Sequence, residues 1–287
     1  MKTHINNVII IKTLILFTCC FFLFSTVKAQ IADEFITEKV SFRNGETKLA
    51  GTLSLPSMDG LHPAVVLISG SGPQNRDGET KAIPGYQPFS VMGEYLTRRG
   101  FAVLRYDDRG VEESTGAYIE AKEEDFIKDA EAAIGFLQGR KDIRTEAVGM
   151  LGHSEVALIA ANVASNNPDV AFVISLAGGA VDGYSLLLRQ AERQAKAIGM
   201  TKEQVDAVVE EQQRIFDLVL AKDWEELTNV VSSITQKKLE ALPEEKTANI
   251  DINEYASKKA AQSVNTFQLP RYQYLLGHDF GTDWDLN

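Results

Sequence analysis

Four short apolar runs constrain this chain more than any other feature. Pro63-Ala64-Val65-Val66-Leu67-Ile68 is the first and Phe101-Ala102-Val103-Leu104-Arg105-Tyr106 the second. Ala147-Val148-Gly149-Met150-Leu151 is the third and Ala171-Phe172-Val173-Ile174-Ser175-Leu176 the fourth. Each is too short for a buried helix and too continuous for a strand wetted on one face, so each reads as a strand covered on both faces. Helical patterns accompany them over residues 90–99, 123–139 and 155–165. In the longest, Phe126, Ile127, Ala130, Ile134 and Leu137 fall on one face. Strands alternating with helices at this spacing imply the α/β class, a mostly parallel sheet with right-handed crossovers. Ahead of them, two alternating segments flank Asn44-Gly45, which predicts a hairpin with positive φ in its turn.

Beyond Gly179 the pattern changes. Residues 184–263 contain no strand-like run. Thr201-Lys202-Glu203-Gln204 is a capping box, followed by Val205, Val208, Val209, Phe216 and Val219 at helical spacing. An all-helical cap over residues 182–270 is expected above the carboxyl edge of the sheet, and residues 271–287 read as a polar tail.

The amino end carries an address. Lys2 and Lys12 precede an uncharged apolar stretch over residues 14–27, and Val27-Lys28-Ala29 offers a cleavage site before Gln30. Only 15 residues lie between Lys12 and Lys28, short of the roughly 20 that a spanning helix needs. Residues 1–29 are therefore expected to be a signal peptide and residues 30–181 the core domain. The product would be periplasmic or extracellular, with no stable membrane span after cleavage. Cys19 and Cys20 would leave with the peptide, so the remaining 258 of the 287 residues would hold neither a disulfide nor a Cys nucleophile. Losing Lys2, Lys12 and Lys28 but no acid moves the formal charge from −11 to −14. A chain this acidic lacks the basic footprint of a nucleic-acid binder.

Gly152-His153-Ser154-Glu155 is the sharpest chemical signal. It follows the third apolar run directly and leads directly into a helix, the context in which a tight turn lifts a serine hydroxyl above a sheet edge. Ser69-Gly70-Ser71-Gly72-Pro73 closes the first run, and Asp107-Asp108-Arg109-Gly110 with Ser114-Thr115-Gly116 follows the second. Together these blocks resemble the α/β-hydrolase superfamily, in particular its exported bacterial serine hydrolases with a helical cap, of serine aminopeptidase or esterase type. The resemblance spans about residues 40–179 and weakens through the helical insert.

The resemblance implies that Ser154 attacks an ester or amide carbonyl of a small acyl or peptide substrate to form an acyl-enzyme. The backbone N–H groups of Glu155 and of Ser71 or its neighbour would hold the oxyanion. His153 would turn away as a structural residue, and Arg109 with Asp107 would form a buried ion pair shaping their loop. No cofactor or metal is implied. Two positions depart from the pattern. Val156 stands where the elbow has a small residue and would crowd the turn, and Glu112 replaces a glycine of the Arg-Gly block.

The base is harder to find. In this superfamily the order is Ser, acid, His, on loops after successive strands. His62 lies upstream and His153 adjoins the serine, so His278 alone is downstream. Only 17 residues follow Pro270, whereas two further strands and helices take about 60. The expectation is therefore a C-terminally incomplete α/β-hydrolase sheet with His278 as a solvated tail residue. A catalytically decayed or truncated relative with at most a binding role stays open beside the enzyme. Other chemistries fit worse. Gly70-Ser71-Gly72 runs on to Asn75, outside the dinucleotide fingerprint, and no glycine loop carries Gly-Lys-Ser/Thr. Scattered histidines without cysteine make no zinc cluster. Glu123-Glu124-Asp125 reads as a solvated helix start. Asp279-Phe280-Gly281 lacks the partner motifs of a kinase.

Overall fold

The computed structural model describes residues 34–79 and 83–282, so the expected signal segment lies outside the described residues. Six strands form one sheet: β1 (Ile36–Asn44), β2 (Thr47–Leu55), β3 (His62–Ile68), β4 (Ala102–Tyr106), β5 (Ile143–His153) and β6 (Phe172–Leu176). Their order is β1-β2-β4-β3-β5-β6. The expected hairpin is β1 with β2, and Gly45 takes φ +55° at its turn. β2 pairs antiparallel with β4, and β4, β3, β5 and β6 run parallel.

Helices α1 (Pro88–Thr97), α2 (Glu123–Gln138) and α3 (Val156–Asn166) connect the parallel strands. Strand period sorts their side chains. Ala64, Val66 and Ile68 pack with Leu104, Met150, Ala130, Ile134 and Ile159 on the face covered by α2 and α3. Val65, Leu67, Val103 and Leu151 pack with Phe89 of α1 on the other. This double burial is what makes the runs continuous rather than alternating. The fourth run differs from expectation. β6 is an edge strand and half-exposed, with Ile174 39% exposed.

The chain leaves β3 toward β4 on one side and later returns to β5 on the other, so the strand order reverses around β3. Ligands in open α/β sheets bind at the carboxyl ends of strands flanking such a reversal. Ile68 pairs with Gly152, which brings the loop after β3 beside the turn after β5.

The remaining helices are α4 (Gly183–Ala197), α5 (Lys202–Ala221), α6 (Trp224–Glu240), the short α7 (Glu244–Thr247), α8 (Ile252–Phe267) and α9 (Pro270–Gly277). The Thr201 capping box starts α5 as expected, and Asp182, Asp223 and Asp251 cap α4, α6 and α8 through side-chain oxygens. Each such cap is worth about 1 kcal/mol. Phe216, Val219, Leu227, Val231, Ala260, Val264 and Leu276 form the core of this helical layer. Residues 271–282 of the expected polar tail instead belong to α9 and a packed turn. Leu275 and Phe280 meet Leu158 of α3 there. Among the described residues no helix is long and apolar enough to cross a membrane.

Candidate active site

Ser154 stands between the end of β5 and the start of α3 with φ +57°. A left-handed backbone costs a residue with a side chain roughly 1–2 kcal/mol, so surrounding contacts must impose it. The Ser154 N–H donates to the Leu176 carbonyl at 2.8 Å, and the Ser154 carbonyl accepts from the Ala157 N–H at 3.1 Å. The turn is tight enough that a Cβ on Gly152 would lie 2.5 Å from the Ala157 Cα and 2.7 Å from the Val156 carbonyl oxygen. A Cβ on Gly178 would lie 2.4 Å from the Ala157 Cβ. The smallness that the elbow requires thus falls on Gly152, Ala157 and Gly178.

Val156 does not crowd the turn, contrary to expectation. Its side chain points into the core beside Ile159 and is 3% exposed. Restoring a glycine there would therefore open a cavity and weaken the first turn of α3. Val156→Gly is expected to lower stability by roughly 2–4 kcal/mol, read by denaturant unfolding. An unchanged midpoint would mean that the valine is strained after all.

The loop after β3 leans over the elbow. A Cβ on Gly70 would meet the His153 Nδ1 at 2.8 Å, and Gly72 has φ +86°. His153 is exposed and lies against this loop, edge-on to Phe89 at 6.2 Å, rather than turning away. The Ser71 hydroxyl donates to the Glu155 Oε2 at 2.5 Å. The two residues expected to supply oxyanion donors are therefore neighbours in space, and one of them directly follows Ser154.

Asp108 holds the same loop from below. Its carboxylate accepts from the Ser69 hydroxyl at 3.1 Å and from the Gln74 N–H at 2.9 Å. Burial pushes its pKa up to about 7, against the pull of those two hydrogen bonds and of the Arg271 charge. The folded protein then holds a proton that the unfolded chain releases near its ordinary value of 3.8. Stability from this group is full below about pH 4 and is lost as pH rises through about 7, on the order of a few kcal/mol. Asp108→Asn is expected to flatten that fall in unfolding free energy measured from pH 4 to 8; an unaltered slope would refute the assignment.

The Arg-Gly block corrects another expectation. Asp107 does not pair with Arg109. It accepts from Arg76, Nη2 to Oδ2 at 2.5 Å, while Arg109 places Nε and Nη2 on Asp129 of α2, both at 2.8 Å. The loop sends the two side chains to opposite partners. Glu112 takes φ +45°, so it adopts the conformation for which a glycine would be suited. It lies on the rim of a cavity of about 1050 Å³, with Gly72, Pro73, Val111, Tyr118 and Ile119 also in the wall. That cavity opens one residue beyond Ser71.

The other histidines lie elsewhere. His62 is at the amino end of β3, its Nε2 3.2 Å from the Ser57 carbonyl oxygen. His278 stacks on Tyr274 at 4.6 Å and tilts against Phe280 at 4.8 Å, a half-buried aromatic cluster rather than a solvated tail. Glu123 is 5% exposed and lies 3.5 Å from the Arg271 Nε, so the start of α2 is not fully solvated. Among the described residues no group of three or more His, Cys, Asp or Glu is arranged to hold a metal ion. Sequence reasoning missed Asp108 and Arg271, which gain their significance from partners remote in the chain.

A family model described as X-Pro dipeptidyl-peptidase (S15 family) matches residues 44–270. The chain belongs to the S15 peptidase family. The matched region contains the elbow, the loop after β3 and the helical layer up to Pro270. Esterase EstD of Thermotoga maritima is 29% identical over 192 residues, which are 67% of this chain and 40% of EstD. The chain thus spans well under half the length of that curated relative. Among solved structures, an esterase of Pyrococcus furiosus has a TM-score of 0.45 at 19% identity, over 61% of this chain and 60% of that one. A hypothetical protein of Pseudomonas aeruginosa also has a TM-score of 0.45, at 20% identity over 59% and 56% of the two chains. The α/β-hydrolase sheet with helical insertion expected from sequence is the fold that this S15 family member has.

Proposed function

We propose that this S15 family member is a serine hydrolase of carboxylic esters or peptide bonds that acts through an acyl-enzyme on Ser154. The carrying observation is the left-handed Ser154, φ +57°, at a strand–turn–helix junction on the carboxyl edge of the sheet. A strained, non-glycine conformation of this kind is kept where function uses it. In the proposed reaction the Ser154 Oγ adds to the substrate carbonyl carbon. The resulting oxyanion is received by the backbone N–H groups at Glu155 and in the Ser71 loop. Glu155 also stands at the amino end of α3, where the helix dipole favours negative charge. Collapse breaks the bond to the alcohol or amine, which leaves with the proton given up by the Ser154 hydroxyl; water then adds to the acyl carbon, and its hydrogens go to the released acid and the restored serine. The cavity of about 1050 Å³ next to the loop would receive a small acyl or peptide substrate. The reading extends to residues 1–29 as an export signal, and so to work in the periplasm or outside the cell.

Of the other histidines, His278 packs against Tyr274 and Phe280 and His62 is at the far end of β3. That observation favours a second reading, a non-catalytic relative that binds an acyl compound without turnover. A fluorophosphonate probe separates the two. Covalent labelling of the purified protein at Ser154, absent in Ser154→Ala, is expected. A wild type that stays unlabelled would sink the hydrolase reading and leave the binding one.

A further inference from the structure

Glu155 contributes more than its backbone N–H. Its side chain is 13% exposed and spans two elements. Oε2 accepts from the Ser71 hydroxyl at 2.5 Å, and Oε1 accepts from the Arg271 Nε at 3.2 Å. Arg271 is the second residue of α9, whose start is set by Pro270, and is 14% exposed. The same Nε lies 3.5 Å from the Glu123 Oε2, and Nη1 donates to the Tyr118 hydroxyl. Its guanidinium lies 4.4 Å from the centroid of the Phe126 ring and 5.4 Å from that of Tyr118. Two carboxylates, two aromatic rings and a hydroxyl hold this cation in one place. A planar fork so enclosed is a rigid anchor, which a flexible ammonium would not be.

The chain of contacts therefore runs from the helical layer, through the residue after Ser154, to the loop after β3. Arg271 orients the Glu155 carboxylate, and that carboxylate holds the Ser71 hydroxyl. Ser71 and Glu155 belong to the two segments whose N–H groups the proposed reaction needs at a fixed separation. We propose that Arg271 is a positioning residue which, through Glu155, sets the spacing of the two oxyanion donors. This rests on the hydrolase reading above and deepens it, because it gives the last described helix a part in the chemistry. Oxyanion donors act on charge that develops in the transition state, so their misplacement lowers kcat with little change in KM.

The test uses the purified full chain and a p-nitrophenyl ester. Arg271→Met is expected to lower kcat about 10–100-fold, with KM held within about threefold. Glu155→Gln, which keeps the size and removes the charge, should behave alike. Combining the two should be no worse than the more severe single change, because both break one chain of contacts. Amide exchange over residues 69–74 should quicken in each variant. If Arg271→Met does not fold, Glu155→Gln and the charge-conserving Arg271→Lys carry the same comparison. A reactive wild type whose kcat is unmoved in these variants overturns the positioning role alone, as do additive losses or unchanged loop exchange. A wild type that neither hydrolyses the ester nor takes a fluorophosphonate overturns the hydrolase reading and this role with it.

Discussion

Ser154→Ala is expected to lower kcat/KM for a p-nitrophenyl ester by at least about 10³-fold while leaving the protein folded. The substitution removes the only atom that the proposed reaction joins to the substrate. It also leaves the backbone where it is, because alanine at φ +57° carries the same Cβ penalty as serine. A companion variant separates chemistry from folding. Ser154→Gly abolishes the same reaction but relieves the left-handed strain, and is expected to raise stability by about 1 kcal/mol. Loss of activity with a gain in unfolding free energy is a signature that a merely structural serine would not give. If Ser154→Ala retained most of the esterase activity, another residue would be the nucleophile. If Ser154→Gly were destabilising, the elbow would not be strained.

Asp129→Ala should be the most damaging single change away from the elbow, at about 3–5 kcal/mol. The carboxylate is 2% exposed and takes both arms of the Arg109 fork at 2.8 Å. Its Oδ1 also accepts from the Asn44 amide at 2.7 Å. One side chain of α2 thus ties the end of β1 to the loop after β4. Removing it leaves a guanidinium, itself 8% exposed, with the Asp125 carbonyl oxygen at 3.1 Å, the partly exposed Asp125 carboxylate at 3.4 Å and the ring of Phe126, and with no buried carboxylate beside it. The cost lies in that uncompensated charge more than in the lost bonds. Replacing the pair together, Arg109→Met with Asp129→Leu, is therefore expected to cost less than Asp129→Ala alone. Denaturant unfolding of the two variants measures this, and a double change at least as costly as Asp129→Ala would refute it.

How much of this was legible in the chain depended on how local the cause was. The strand–turn–helix setting of Ser154 was legible because such a turn needs only a buried run, a glycine two residues earlier and a helix directly after. The β1–β2 hairpin declares itself through Asn44-Gly45, and α5 through the Thr201 capping box, for the same reason. Val156 misled because a rule about the size of one position hides which neighbour bears the close approach. The structure gives that part to Gly178, which is remote in the chain, and to Ala157. Arg109 and Asp107 misled because charge and nearness in sequence do not say which way each side chain leaves a loop. Arg271 was invisible for a stronger reason. Its partners Tyr118, Glu123 and Glu155 come from three places, and only the docking of α9 brings them together. The fourth apolar run looked buried on both faces because composition registers greasiness and not whether a strand has a neighbour on each side.

The ladder between β3 and β5 is regular from Ala64 with Val148 to Ile68 with Gly152, and its irregularity is confined to the stretch between His62 and Ala64. That asymmetry works like slack kept at one end of a rope. Changes in length among residues 143–147 can be taken up in a region where the pairing already slips, well away from the serine. From Val148 onward each residue is locked to a partner, and the last locked pair stands two residues before Ser154. A change of length is therefore better absorbed at the lower rim of this sheet, while the upper rim takes no insertion and, at Gly149 and Gly152, no larger side chain.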